Sequence, residues 1–182
     1  MKKESSAAYI ARLAITLLLI TAVVAAGLAC VNAVTAPEIE ALNAQKTQTA
    51  IEAVLPGGGE EIAFTDDSGI VSTIYKGQSG YAVEVTPAGF NGTVTMMVGV
   101  DNAGKVLGIS IVNHTETAGL GAEAASQGAA GTAFRSQFAG MSGSVSVSKD
   151  GGQVDALTGA TITSRAVCTG VNAALNAVAK LG

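Results

Sequence analysis

The sequence predicts an α+β protein, in which a single N-terminal transmembrane helix precedes a compact domain of antiparallel strands closed by a C-terminal helix. Three observations predict it. Nineteen residues from Leu13 to Val31 carry no formal charge. Two runs, Thr93 to Asp101 and Lys105 to Asn113, alternate in polarity on either side of the turn residues Asn102, Ala103 and Gly104. Near the end, Val167, Val171, Leu175 and Val178 recur at helical spacing.

As a helix the uncharged run extends about 28 Å, the hydrocarbon thickness of a bilayer. Lys2, Lys3 and Arg12 precede it, whereas Glu38 and Glu40 come before the next cation, Lys46. The positive-inside rule therefore places residues 1–12 in the cytoplasm, 13–31 in the cell membrane and the body outside. A cleaved signal peptide shares the basic start and apolar core, but its core is usually shorter. Gly27-Leu28-Ala29-Cys30 outlines a lipoprotein cleavage box with Gly27 where a large aliphatic residue is wanted, so Cys30 reads as an intramembrane thiol. Residues 32–59 form a stalk: Pro37 opens a helix whose apolar residues Ile39, Leu42, Ile51, Val54 and Leu55 end at Pro56-Gly57-Gly58-Gly59. Its polar middle, Asn43 to Thr49, leaves a flexible linker as the alternative. Residues 60–182 form the extracytoplasmic domain.

A chain of 182 residues has room for one span and one domain of ordinary size. Three of its ten Lys/Arg and one of its fourteen Asp/Glu precede Asn32, leaving seven against thirteen in the body. That balance repels nucleic acid. Cys30 and Cys168 fall on separate elements, so neither a disulfide framework nor a metal site follows.

In the domain, Tyr81 to Thr86 reads as a strand, followed by a hairpin. Met96, Val98 and Val100 alternate with Met97, Gly99 and Asp101; Val106, Gly108, Ser110 and Val112 alternate with Leu107, Ile109 and Ile111. A Gly/Ala-rich excursion follows, Gly119 to Gly131, with Phe134 and Phe138 on a short helix. Ser144 to Ser148 alternates Ser and Val, and Gly151-Gly152 separates it from Val154 to Leu157, which predicts a second hairpin. The last helix is amphipathic, with Asn172, Asn176 and Lys180 on another face and Thr163 or Ser164 as N-cap.

Between that hairpin and helix stands Asp155-Ala156-Leu157-Thr158-Gly159-Ala160-Thr161-Ile162-Thr163-Ser164. Small residues let a ligand approach the backbone, hydroxyls offer hydrogen bonds and an attachment point, and helix N-terminal amides suit a phosphate. A polar turn that simply caps a helix uses the same residue types. The full pattern Asp-x-x-Thr-Gly-Ala-Thr resembles the acceptor motif of the FMN-binding-domain family. That resemblance implies that a flavin transferase joins the phosphate of FMN to Thr161 as a phosphoester. It further implies that Asp155 serves transferase recognition or turn geometry. Gly159 and Ala160 would leave space for that enzyme and then the ribityl chain, and Thr158, Thr163 and Ser164 would complete the cofactor segment.

A second segment, His114-Thr115-Glu116-Thr117-Ala118-Gly119-Leu120-Gly121, resembles the His-x-Glu-Thr-Pro-Gly-Leu-Gly stretch of the G subunit of the Rnf electron-transport complex. Ala118 stands where that family has proline, which leaves the loop less rigid. By this resemblance Glu116 and Thr117 hydrogen-bond the flavin or shape its pocket, Leu120 covers the ring, and Gly119 and Gly121 belong to the binding loop. His114, the one histidine, is either a proton carrier or a histidine at a strand end. With no Trp and few aromatics, an aromatic sandwich around the ring is not expected.

The resemblance covers nearly the whole chain. It implies a membrane-anchored flavoprotein subunit relaying electrons through covalent FMN in an Rnf-type ferredoxin/NAD oxidoreductase coupled to Na⁺ or H⁺ translocation. Other subunits of the complex, a flavin transferase and membrane lipid are the implied partners, and catalysis belongs to the complex rather than to a residue of this chain. Three alternatives share some of these features: the C subunit of the Na⁺-translocating NADH:quinone reductase, which is typically longer; a free-standing flavinylated electron carrier; and an anchored interaction domain with no cofactor.

Overall fold

The computed structural model describes residues 6–66 and 68–181, so Lys2 and Lys3 lie outside the described residues. The chain divides at Gln45 into two compact units. Helix α1, Ser6–Val54, begins in the first and ends in the second.

In the first unit, consecutive apolar residues such as Leu17, Leu18, Leu19 and Ile20 are all exposed, so this stretch of α1 buries no face within the chain itself. This is the one described helix long and apolar enough to cross a membrane. A helix satisfies its own backbone groups, as a lipid environment demands. The hydroxyls of Thr16, Thr21 and Thr35 follow the same economy by donating to the carbonyls of Arg12, Leu17 and Val31 one turn back. Pro37, expected from sequence to open a helix, lies inside this one instead. It has no N–H for the Ala33 carbonyl one turn earlier, a local loss that intact turns on either side absorb. The polar stretch from Asn43 to Thr49 is helical as well.

The second unit is an α+β domain built on a five-stranded antiparallel sheet in the order of the chain. Its strands are β1 (Glu60–Ile62), β2 (Val71–Lys76), β3 (Gly80–Val85), β4 (Val94–Asp101) and β5 (Val106–His114). The expected hairpin is β4–β5, with Val98 opposite Ile109 and Gly99 opposite Gly108. Its turn is tied by Asp101, whose Oδ1 accepts from the Ala103 and Lys105 amides at 2.8 Å each. Strands β1 and β2 were not anticipated from sequence. Before β2, the Asp66 carboxylate accepts from the amides of Ile70 and Val71, and its bonds to Ser68 and Val71 pull its pKa to about 2.

One face of the sheet packs on helix α3 (Thr161–Ala179), with Val83, Val85, Met96 and Val98 against Val167, Val171, Leu175 and Val178. Helix α2 (Ala129–Ser136) adds Phe134, whose ring meets that of Phe138 edge to face at 5.4 Å. On the other face Ala82 and Met97 are covered by Ala50, Ile51, Val54 and Leu55 from the end of α1. Gly99 makes this approach possible, because a Cβ there would run into the Val54 carbonyl oxygen, which is backbone and cannot swing aside. Gly99→Ala is expected to destabilise the domain by about 2 kcal/mol, read as a lower Tm of the detergent-solubilised full chain; an unchanged Tm would show that α1 is not seated there.

The second hairpin does not form. A single bridge joins Val147 to Val154, and a 3₁₀ turn, Ser148–Asp150, lies between them. The alternation is nonetheless real in burial, since Val145, Val147 and Val154 all enter the core. What is missing is the ladder: the Val145 amide donates to Asn172 Oδ1 and its carbonyl accepts from Asn172 Nδ2, each at 2.8 Å, so a side chain of α3 replaces the partner strand. Asn172 is therefore half-buried rather than part of a polar face.

Candidate functional site

The N-cap of α3 is Ala160, not Thr163 or Ser164, and no side chain caps the helix. Thr161 is the first helical residue. Amides at the start of a helix have no intrahelical acceptor, so those of the first turn remain available. The two residues expected to cap point inward. Ser164 Oγ accepts from the Leu157 amide and donates to the Ala160 carbonyl, both at 3.0 Å, which shapes the turn leading into Thr161. Thr163 Oγ1 donates to Glu116 Oε2, a bond spanning 47 positions of sequence.

Glu116 is 8% exposed and ties three segments together. Besides Thr163, it accepts at Oε1 from the amides of Phe90, at 2.8 Å, and Asn91, at 3.1 Å. Asn91 and Thr115 bond reciprocally beside it, each side chain reaching the other's backbone carbonyl. Gly121 is pressed into the same corner, where a Cβ would lie 2.5 Å from both Glu116 Oε2 and Thr163 Oγ1.

Around this brace opens a cleft of about 380 Å³. It brings the two sequence segments together: Glu116, Thr117, Leu120 and Gly121 from the loop after β5, and Gly159, Ala160, Thr161 and Thr163 from the entry to α3. Gly159, at φ +73°, lies against the Leu120 side chain and has no Cβ to obstruct it. Asp155, Thr158 and Gly119 face instead a neighbouring cleft of about 550 Å³, which Leu120 also borders. Asp155 is exposed, its amide and carbonyl held by the Gln137 side chain at 2.8 and 3.2 Å. His114 lines neither cleft. It ends β5 and accepts at Nδ1 from the Glu116 amide at 3.3 Å, so it sits as a strand-end histidine. A larger cleft of about 720 Å³, between the β4–β5 turn and the end of α3, gathers none of the candidate residues.

Three residues of the Thr161 cleft were missed from sequence: Phe90, Lys149 and Ile162. Among the described residues of the second unit, the large exposed hydrophobics are Phe90, Leu107, Leu120 and Ile162, and three of these four line this one cleft. Such clustering of exposed apolar side chains marks a binding site more often than chance. The exposed aromatic between Gly89 and Asn91 was the available signal for Phe90. Lys149 Nζ donates to Thr161 Oγ1 at 3.2 Å. Its 3₁₀ turn is stapled to α3 by Asp150, which takes a two-pronged bond from Arg165 at 2.6 and 2.7 Å that holds its carboxyl below the usual range. Cys168 is buried on α3, and burial pushes its thiol to about 11, which leaves it inert at neutral pH.

Residues 89–176 match the FMN-binding domain family, a stretch that runs from the Phe90 loop through the cleft into α3. The chain is 35% identical over 187 aligned residues to the G subunit of the Na⁺-translocating ferredoxin:NAD⁺ oxidoreductase complex of Acetobacterium woodii, covering 88% of this chain and 87% of that one. It is 31% identical over 182 residues to the G subunit of the ion-translocating oxidoreductase complex of Methanosarcina acetivorans, covering 93% and 94%. A shorter alignment, 40% identical over 102 residues, links it to the G subunit of the proton-translocating ferredoxin:NAD⁺ oxidoreductase complex of Clostridium ljungdahlii, covering 54% and 52%. Relatives of this identity spanning almost the full length, together with the domain match over the residues that build the cleft, place the family beyond the two motifs: the chain belongs to the G-subunit family of ion-translocating oxidoreductase complexes.

Proposed function

We propose that this chain is the membrane-anchored flavoprotein subunit of an Rnf-type oxidoreductase complex and relays electrons through FMN joined as a phosphoester to Thr161. The observation that carries this reading is the Thr161 hydroxyl in the lining of a cleft built by two segments more than thirty positions apart in sequence. The residues present fit the group. The cleft lies within the ~300–1,000 Å³ of small-molecule sites. The first-turn amides and Lys149 suit a phosphate, Phe90, Leu120 and Ile162 offer apolar walls to a ring, and Gly159 and Ala160 add no bulk between them. Bound FMN supplies the redox chemistry, while the protein fixes its position and surroundings.

An alcohol does not condense with a phosphate monoester in water, so Thr161 Oγ1 requires an activated phosphoryl donor. A flavin dinucleotide supplies one: the Oγ1–P bond replaces the pyrophosphate P–O bond, the hydroxyl proton goes to the transferase, and a nucleoside monophosphate leaves. Attachment retains the cofactor where free flavin is scarce, as outside the cytoplasm. In this reading residues 13–31 span the cell membrane with the N-terminus cytoplasmic, lipid surrounds that span, and the other subunits supply and accept the electrons. The oxidoreductase activity is that of the assembled complex.

Intact mass of the full chain expressed with and without a flavin transferase tests the assignment, followed by peptide mapping from Asp155 to Arg165. An added FMN moiety on Thr161 only with the transferase is the expected result; an unmodified mass in both samples, with the transferase active on another substrate, overturns it. Asp155→Ala is expected to lower loading several-fold at unchanged Tm, because the carboxylate is exposed and the backbone, not the side chain, carries the local hydrogen bonds. Loading equal to wild type would remove Asp155 from transferase recognition.

A further inference from the structure

The cleft holds two ionisable side chains, Glu116 and Lys149, and they stand in opposite situations. Glu116 is buried with both oxygens engaged by protein donors. Lys149 is exposed, gives one hydrogen bond to Thr161 Oγ1, and has no carboxylate within ion-pair distance among the described residues. An ammonium has three donors, so two remain. The neighbouring charges, Asp150 and Arg165, neutralise each other in the ion pair between them. Lys149 is thus the one cation at the acceptor hydroxyl left without an ion-pair partner among the described residues, held in place by the staple on the next residue.

We propose that Lys149 is the counter-charge of the attached phosphate, a positioning residue that holds the phosphodiester formed at Thr161. This rests on the covalent-FMN reading above. A diester of phosphoric acid keeps one negative charge at neutral pH, and the ammonium already sits on the oxygen through which that group is joined. Pairing there offsets the charge that attachment brings to the cleft and orders the group leaving Oγ1. Exposure limits the effect to that of a surface ion pair, about 1 kcal/mol, or roughly fivefold in rate.

The test uses the full chain in detergent with an active flavin transferase. Lys149→Met is expected to slow attachment about fivefold at low salt without changing Tm, and Lys149→Arg to recover most of the rate. High salt should bring wild type down towards the Met variant. A second readout separates holding the product from recognition by the transferase: in flavinylated protein, the Lys149 peptide should react several-fold more slowly with an amine-acylating reagent than in unflavinylated protein, with Lys105 and Lys180 unchanged. Covalent flavin on Thr161 with equal Lys149 reactivity in both forms overturns the proposal and leaves the FMN reading standing. Absence of covalent flavin in wild type overturns both.

Discussion

Thr161→Val is expected to abolish covalent FMN and to leave the domain folded. Valine keeps the branched shape of threonine and has a similar helix propensity. The hydroxyl it removes has Lys149 as its hydrogen-bond partner, at the surface, so the cost in stability stays near 1 kcal/mol or below. No other hydroxyl between Thr158 and Ser164 can take over. Thr163 is 1% exposed and bonded to Glu116, Ser164 is fully buried and bonded on both sides, and Thr158 faces the other cleft. Intact mass with the transferase present should therefore show the loss as complete, with Tm within a few degrees of wild type. Flavin still attached in the variant would move the acceptor to another residue.

Glu116→Ala is expected to take the cleft apart. It orphans the Thr163 hydroxyl, which is buried, and the amides of Phe90 and Asn91, which water reaches more easily. An unsatisfied buried donor costs about 1–3 kcal/mol. With the accessible amides discounted, the total is about 3 kcal/mol, which lowers Tm by roughly 10 °C in a domain of this size. Flavin loading should fall with it, since the Phe90 loop and the first turn of α3 lose their common anchor. Glu116→Gln is the informative companion: its carbonyl oxygen can still accept from the two amides and its NH₂ can donate to Thr163, so it should recover most of the Tm. If the alanine variant melted with wild type, the brace would be without energetic weight.

What was legible in the sequence was local periodicity. The β4–β5 hairpin and α3 are written into alternation and helical spacing, and Val98 and Val171 are buried as that reading expects, although β4 is buried on both faces because the end of α1 covers Met97. What escaped was pairing. The Ser/Val alternation after Ser144 assigned the buried face correctly, but nothing in it says that Asn172, 27 positions away, serves Val145 in place of a strand. Strand β2 escaped because its start is fixed by the Asp66 side chain rather than by a hairpin turn with an obvious partner. In the cleft, the two motifs were visible as motifs, whereas Lys149 and Phe90 reach it through tertiary contacts with no sequence spacing of their own. Thr163 and Ser164 looked like caps because hydroxyls cap helices; here Glu116 and the turn at Leu157 claim them first.

Because every strand pairs with its neighbour in sequence, the five strands can assemble in the order in which the chain is synthesised. The brace obeys a different timetable. Glu116 must wait for Thr163, and Thr161 has no cleft around it until α3 has docked. A nascent chain stopped after β5 would own a nearly finished sheet and no acceptor pocket. Covalent flavin on this fold would therefore certify that the last helix is in place, making modification a record of completed folding.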